Sequence, residues 1–323
     1  MMRIFFGISL ILCKSILKNG GMVARVFVVG DINIDILCNY REIPDIGEEA
    51  HLDSVNISIG GNAANFAVAL GKLGERPELF AVIGNDFACD YLLDTLRGSG
   101  VKANLKRLDK TNGYSIVFVN QSGERFILSN KGASGEITVG DLEGVVEKTK
   151  DGDIVYVGGY FHLRKLHEGF PDFLRRIKRK KGLVFFDMCF DKHGTWMESL
   201  KGLLGYIDLV FMNEKELSMI SGGDPEALPG LGIKQAVVKL GKKGSMYCSG
   251  NQIIREEAFK VRAVDTTGAG DVFNAGFVYG YAKGLTPERC LKLGNFVAGK
   301  KVQHHGIVVP KKEEVERFMR GLG

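Results

Sequence analysis

Asp265-Thr266-Thr267-Gly268-Ala269-Gly270-Asp271 leads straight into an apolar segment, residues 272–281, that stops at Gly284. Two glycines between two carboxylates, opening a helix, describe an anion site with a base beside it. The first amides of a helix have no partner inside it and point outward. Together they carry about half a positive charge, so a phosphate docks there readily. Gly268 and Gly270 have no Cβ, which lets the backbone come close to that phosphate. Asp271 then lies within reach of an attacking atom. The pattern suits phosphoryl transfer from a nucleotide to a small hydroxyl compound.

The rest of the chain supplies a frame for this motif. Residues 25–29 form an apolar run closing on Gly30-Asp31, which reads as a buried parallel strand. Residues 32–39 alternate, break at Pro44 and Gly47, and alternate again over 51–59, giving each segment one buried and one wet face. After Gly60-Gly61-Asn62 a helix is expected over 63–73, with Gly74 as its stop. A buried strand over 79–83 and a helix over 91–97 follow. Residues 114–120 and 125–129 form a hairpin around Gln121-Ser122-Gly123-Glu124, the complement of the two earlier alternating strands in a small antiparallel sheet. From residue 141 onward, strands at 154–157, 183–186, 209–212 and 236–240 take turns with helices. Those helices are expected over 169–180, 214–221, 269–283, 287–303 and 312–320. Such alternation predicts an α/β fold, a doubly wound, mostly parallel sheet flanked by helices. Ligands in such sheets sit at the carboxyl ends of the strands.

The composition, 323 residues with 45% hydrophobic and 25% charged, is that of an ordinary globular protein. A net charge of +5, from 43 basic and 38 acidic residues, is too small to argue for nucleic acid, though it suits an anionic substrate. The cysteines at 13, 38, 89, 189, 248 and 290 form no CxxC pair, which excludes metal-finger and thioredoxin-type readings and fits a reducing cytoplasm. The apolar run 4–13 after Arg3 loosely resembles a secretion signal, but it lacks a small-x-small cleavage site and is too short to span a bilayer. Residues 1–24 are therefore read as an extension or a mis-assigned start, with Met22 as the natural start and the domain over 25–323. No other segment reads as membrane-spanning. The cationic run 175–181 is read as the solvated end of a helix, where cations favour the dipole, and not as a nucleic-acid patch. His304 and His305 are adjacent on a helix and point apart, so they are no metal pair. A G-x-x-x-x-G-K-[ST] loop is absent from the sequence.

Four motifs occur in a telling order: Gly60-Gly61-Asn62-Ala63-Ala64-Asn65 continuing through Gly71 to Gly74, Asn213-Glu214-Lys215-Glu216, Lys239-Leu240-Gly241 with Gly244, and residues 265–271. Over about residues 24–320 the chain resembles the ribokinase family, also called the PfkB family of carbohydrate kinases. The resemblance implies a ribokinase-like fold with a small β lid inserted at about 32–59 and 113–130. It implies that Asp271 is the catalytic base, with the amides of Gly268, Ala269 and Gly270 forming the anion hole. The helix start is expected to hold Asp271 ionised, a weak base whose proton transfer comes late. On the acceptor side, the resemblance points to Asn33, Asp35 and Asn65. Alternation puts Asn33 and Asp35 on one strand face, and a carboxylate accepts from two hydroxyls at once. Gly60 and Gly61 would let the backbone approach a sugar. Asn213 and Glu216 would order magnesium–ATP, Glu216 through water, since Mg²⁺ keeps several waters. On the residues alone, a helix cap and a first-turn glutamate explain that pair equally well. Lys239, Gly241, Gly244 and Asn295 match positions around the nucleotide base and ribose. Asp265 and Thr267 match positions that in some members bind a monovalent cation such as K⁺.

Departures from the family pattern bear on the acceptor. The place of an Asp-x-Asn-x-x-Arg-like element reads Asp187-Met188-Cys189-Phe190-Asp191, which argues against an acidic sugar, since an anionic acid wants an arginine nearby. Asn62 stands where ribokinases proper carry lysine, which argues against ribose. Gly123-Glu124-Arg125 resembles fructokinases and some nucleoside kinases. Arg125, Tyr160, Phe161 and His162 are further candidates for touching the acceptor. The expectation is an ATP-dependent kinase of a small sugar, with a nucleoside as the alternative acceptor and a non-catalytic sensor as the reading from another class. A homodimer through the lid is expected, because an open sheet edge needs covering.

Overall fold

The computed structural model describes residues 24–189 and 196–322; all of the expected extension except Ala24, together with Cys13, Phe190 and Asp191, lies outside the described residues. In chain order the strands are β1 (Val26–Gly30), β2 (Asn33–Tyr40), β3 (Leu52–Gly60), β4 (Glu78–Ile83), β5 (Lys102–Arg107), β6 (Gly113–Val119), β7 (Arg125–Asn130), β8 (Ile154–Gly158), β9 (Leu183–Asp187), β10 (Leu209–Asn213), β11 (Gln235–Lys239), β12 (Ser245–Ser249) and β13 (Gln252–Glu256). Among the described residues, nine of them form one sheet in the order β13-β12-β11-β10-β9-β8-β1-β4-β5. Neighbours from β11 to β5 pair in parallel, while β12 and β13 turn back antiparallel.

The apolar runs explain the layering. Val26 and Val28 of β1 pack into one core with helices Asn62–Lys72, Cys89–Gly98, Ala269–Ala282 and Pro287–Lys301. Phe27 and Val29 pack into the opposite core with helix Phe170–Arg179. A strand covered on both faces has no wet side, which is why it reads as a continuous apolar run. Strand order reverses between β8 and β1, and such a switch point opens a crevice at the carboxyl ends. There the two strands end on glycines packed so closely that a Cβ on Gly30 would lie 2.0 Å from the Gly158 carbonyl oxygen.

A second sheet, β3-β2-β6-β7, stands over that crevice. The two outer pairings are antiparallel as expected, but β2 and β6 pair in parallel. They are separated in sequence by excursions through the main sheet, so no hairpin dictates their direction. Three strands were not anticipated. β5 reads Lys-Ala-Asn-Leu-Lys-Arg, an edge strand with mostly exposed polar residues. The β12–β13 hairpin closes the other edge; β13 is an edge strand without a two-sided apolar run, while β12 is buried but mixes polar and apolar residues, Ser-Met-Tyr-Cys-Ser. The cationic run forms ion pairs at the surface, Arg176 with Glu143 and Lys178 with Asp208, as a solvated face does. No described helix is long and apolar enough to cross a membrane.

Candidate active site

A cleft of about 1260 Å³ lies between the two sheets, and most of the expected residues line it. The lid contributes Asn33, Asp35, Ser115, Val117, Arg125, Ile127 and Ser129. Strand register explains this set, since Asp35 lies beside Ser115 and Ser115 beside Ser129 on one face. The main sheet and its helix starts contribute Asp31, Asn62, Asn65, Asp187, Asn213, Glu216, Lys239 and residues 266–271.

Asp271 is buried in the first turn of helix Ala269–Ala282 and held by two amides. Asn62 Nδ2 donates to its Oδ1 at 3.2 Å and Asn65 Nδ2 to its Oδ2 at 3.0 Å. Burial first, and then the charge of Asp187, push its pKa well above the usual carboxylate range, against the pull of Asn65 and Lys239. The expectation of an acidic, weakly basic Asp271 is thereby corrected. Desolvation and a second carboxylate outweigh the helix start. One amide of the expected anion hole is engaged within the loop. Gly268 caps the helix in the left-handed region (φ 71°), but the Ala269 N–H donates to Thr266 O at 3.2 Å and so turns inward. Gly268, Ala269 and Gly270 all line the cleft.

On the acceptor side, Asn33 and Asn65 each bury an Oδ1 that has no partner among the described residues. Asp35 is pushed up to about 7 by burial and then by Asp31, with Lys131 opposing. Gly61 lines the cleft, whereas Gly60 serves the carboxylate: a Cβ there would lie 2.0 Å from Asp35 Oδ1. Of the four further candidates, Arg125 and His162 line the cleft. Tyr160 and Phe161 instead belong to the core behind the sheet, where Tyr160 stacks on His167 with ring centroids 4.2 Å apart. The apolar β8 end continues into that core, so residues following it need not face a ligand.

Asn213 and Glu216 form a reciprocal cap. Asn213 Oδ1 accepts from Glu216 N at 2.9 Å and Glu216 Oε2 from Asn213 N at 2.8 Å. Both line the cleft as well, so cap and ligand roles coexist. Burial raises the Glu216 pKa to about 7, Lys239 opposing and Asp187 adding. Lys239 lines the cleft too. Its ammonium donates to Asp187 Oδ1 at 3.0 Å, and its Nζ lies 3.5 Å from where a Cβ on Gly270 would be, which places it beside the anion hole. Burial alone would lower its pKa, but Asp187, Glu216 and Asp271 outweigh that and raise it. Gly244 (φ 101°) sits where a Cβ would lie 2.0 Å from Glu256 O, and Asn295 Nδ2 donates to Glu256 O and Glu257 O at 3.3 and 3.1 Å. Both, with Gly241, line the cleft beside residues 258–263. Asp265 does not line this cleft; its carbonyl and carboxylate oxygens hold the Lys301 ammonium.

Among the cleft residues to which the sequence reading gave no role in the site, three hold other site residues in place. Asp31 takes the Ala63 and Ala64 amides, at 3.2 and 3.1 Å, and so anchors the helix that carries Asn62 and Asn65. Asp187 ends β9 and holds Lys239, and Asn62 holds Asp271. The signal present for Asp31 and Asp187 was an aspartate at the carboxyl end of a buried strand.

Residues 23–314 match the family described as pfkB family carbohydrate kinase. An uncharacterized sugar kinase of Archaeoglobus fulgidus is 28% identical over 244 residues, 74% of this chain and 96% of that protein. A ribokinase of Staphylococcus aureus is 25% identical over 92% of this chain and all of its own length. Among solved structures, Arabidopsis thaliana ribokinase complexed with ribose and ATP superposes with a TM-score of 0.77 at 26% identity, covering 93% of this chain and 99% of that one.

Proposed function

The chain belongs to the pfkB family of carbohydrate kinases, and from that premise we propose that it moves the γ-phosphate of ATP to a hydroxyl of a small neutral sugar. The observation that carries this reading is the pairing of Asp271 with orphaned acceptors. A buried acceptor left unpaired costs about 1–3 kcal/mol, and the hydroxyls of a polyol would satisfy Asn33 and Asn65 while presenting one oxygen to Asp271. Asp271 takes the proton of that hydroxyl as its oxygen bonds to phosphorus. Gly268 and Gly270 amides and the Lys239 ammonium stabilise charge on the transferred phosphoryl group, at no reorganisation cost. The donor set fits a magnesium nucleotide, because Asp187 and Glu216 are buried carboxylates lining the same cleft. Glu216 would hold the ion through water, and the ion when bound neutralises phosphate oxygens. Gly241, Gly244 and Asn295 would border the base and ribose.

The sheet β3-β2-β6-β7 acts as a lid that keeps water from the phosphate. Its outer face is apolar: Ile36, Ile57, Ile116 and Leu128 lie side by side across it, with Ile57 and Leu128 59% and 60% exposed. That face supports a homodimer through the lid. The described cysteines are free and buried, which fits work in a reducing cytoplasm.

The test is ADP release with magnesium over a panel of sugars and nucleosides. We expect turnover of at least one neutral sugar, and Asp271→Asn to lose about 100- to 10,000-fold in kcat. Turnover of nucleosides alone would move the acceptor class. No turnover of either, or full activity in Asp271→Asn, would sink the proposal.

A further inference from the structure

Lys301 is the last residue of helix Pro287–Lys301 and its side chain is fully buried. Its ammonium donates to the Asp265 carbonyl oxygen at 2.8 Å and to Asp265 Oδ2 at 2.7 Å. The other carboxylate oxygen, Oδ1, accepts from Thr267 N at 2.8 Å. Val302, the next residue along, accepts from the amides of Val264 and Asp265, at 2.6 and 3.1 Å. The end of this helix therefore ties down the whole segment that leads into Gly268, Gly270 and Asp271. Close packing of the two helices makes that reach possible. A Cβ on Gly276 would lie 3.1 Å from the Gly294 Cα.

A buried ammonium carries a desolvation penalty of several kcal/mol, recovered only through close partners of opposite charge. Here the partners are two oxygens of one aspartate at the threshold of the anion hole. An alkali cation at Asp265 would need those same oxygens, and an ammonium, comparable in size to a potassium ion, already occupies them. We infer that Lys301 is a built-in monovalent cation: its ammonium fixes the loop before the anion hole, so the kinase works without an exchangeable K⁺ or Na⁺. Lys301 is fully buried and does not line the cleft, and it acts as a positioning residue through Asp265. The Lys301 bond and the Thr267 amide outweigh burial and hold Asp265 below the usual carboxylate value, while burial lowers the Lys301 ammonium against the pull of Asp265 and Asp271, so the pairing rests on the geometry of these bonds.

The inference rests on reading the cleft as a kinase site, so its test includes readouts that need no acceptor. Binding of a non-hydrolysable ATP analogue, melting temperature and phosphotransfer are measured in potassium, sodium, lithium and tetramethylammonium chlorides at equal ionic strength. The wild-type protein is expected to show the same values in all four. Lys301→Ala is expected to lose roughly 5- to 150-fold in nucleotide affinity or rate in tetramethylammonium, the range of an ordinary coupling between sites. Potassium, ammonium or methylammonium should restore much of it by entering the vacated space. Lys301→Met fills that space without charge, and should lose as much with no recovery. Potassium activation of the wild type overturns the inference. So does a folded Lys301→Ala that is unimpaired in tetramethylammonium, or whose loss no cation repairs. If the variants do not fold, the wild-type salt series decides alone. A protein that binds the nucleotide independently of cations yet phosphorylates nothing would fail the kinase reading and leave this inference standing.

Discussion

The Asp271 carboxylate accepts from Asn62 and Asn65, 209 and 206 positions away in sequence, and feels the charge of Asp187. The motif around Asp271 was legible as a local pattern; its basicity was not, because burial and distant charges set it. Asp35 repeats the lesson and gives a measurable consequence. Its pKa is pushed up to about 7 in the fold, against about 3.9 in an unfolded chain. Below about pH 4 the carboxyl is protonated in both states and contributes no penalty. As pH rises from about 4 to about 7 the unfolded chain ionises first, so the folded state loses relative stability, and above about 7 the loss is constant. Asp35→Asn is therefore expected to melt above the wild type at pH 8, by on the order of 2 kcal/mol, with the difference vanishing near pH 4. That figure is about half the full shift, because the side chain is part-exposed. The same variant should raise the acceptor KM, and wild-type acceptor binding should weaken below about pH 7. Scanning calorimetry with a kcat/KM pH profile checks both. A variant that melts with or below the wild type at pH 8 contradicts the argument.

Residues 213–216, which open helix Glu214–Ser221, carry both its reciprocal cap and the cleft-lining carboxylate proposed to hold magnesium through water. The two functions separate by substitution. Glu216→Gln keeps an oxygen for the Asn213 amide, as glutamine does in a capping box. It should leave the melting temperature unchanged or slightly higher while weakening magnesium-nucleotide affinity about 10- to 100-fold, the range for groups acting through water on a metal. Asn213→Ala removes the cap and should cost about 1 kcal/mol of stability. Titration calorimetry and thermal melts on both variants distinguish the roles; equal affinity in Glu216→Gln would leave only the cap. The helices and buried strands were readable because each announces itself within its own residues. β5 and β13 were not, since edge strands carry no two-sided apolar run, and the buried β12 was not because its residues, Ser-Met-Tyr-Cys-Ser, are not a continuous apolar run.

For the molecule as a whole, the lid's outer face predicts assembly. Ile57→Asp combined with Leu128→Asp puts like charges on that face, and sedimentation should show a dimer in the wild type and a monomer in the variant. A wild type that sediments as a monomer at all concentrations refutes the lid dimer. The alternating apolar pattern, the helix–strand order and the four motifs were sufficient for the fold class, the lid strands and the place of Asp271 at a helix start, because each depends on neighbours within a few residues. Long-range packing chose the rest. It turned Tyr160 and Phe161 into the core, paired Lys239 with Asp187, and set Gly60 close against the Asp35 carboxylate. It also brought Lys301 across 36 positions to fill the oxygens of Asp265. Those outcomes are contacts between segments remote in the chain, and desolvation, close approach and charge pairing arise only where the fold brings such segments together.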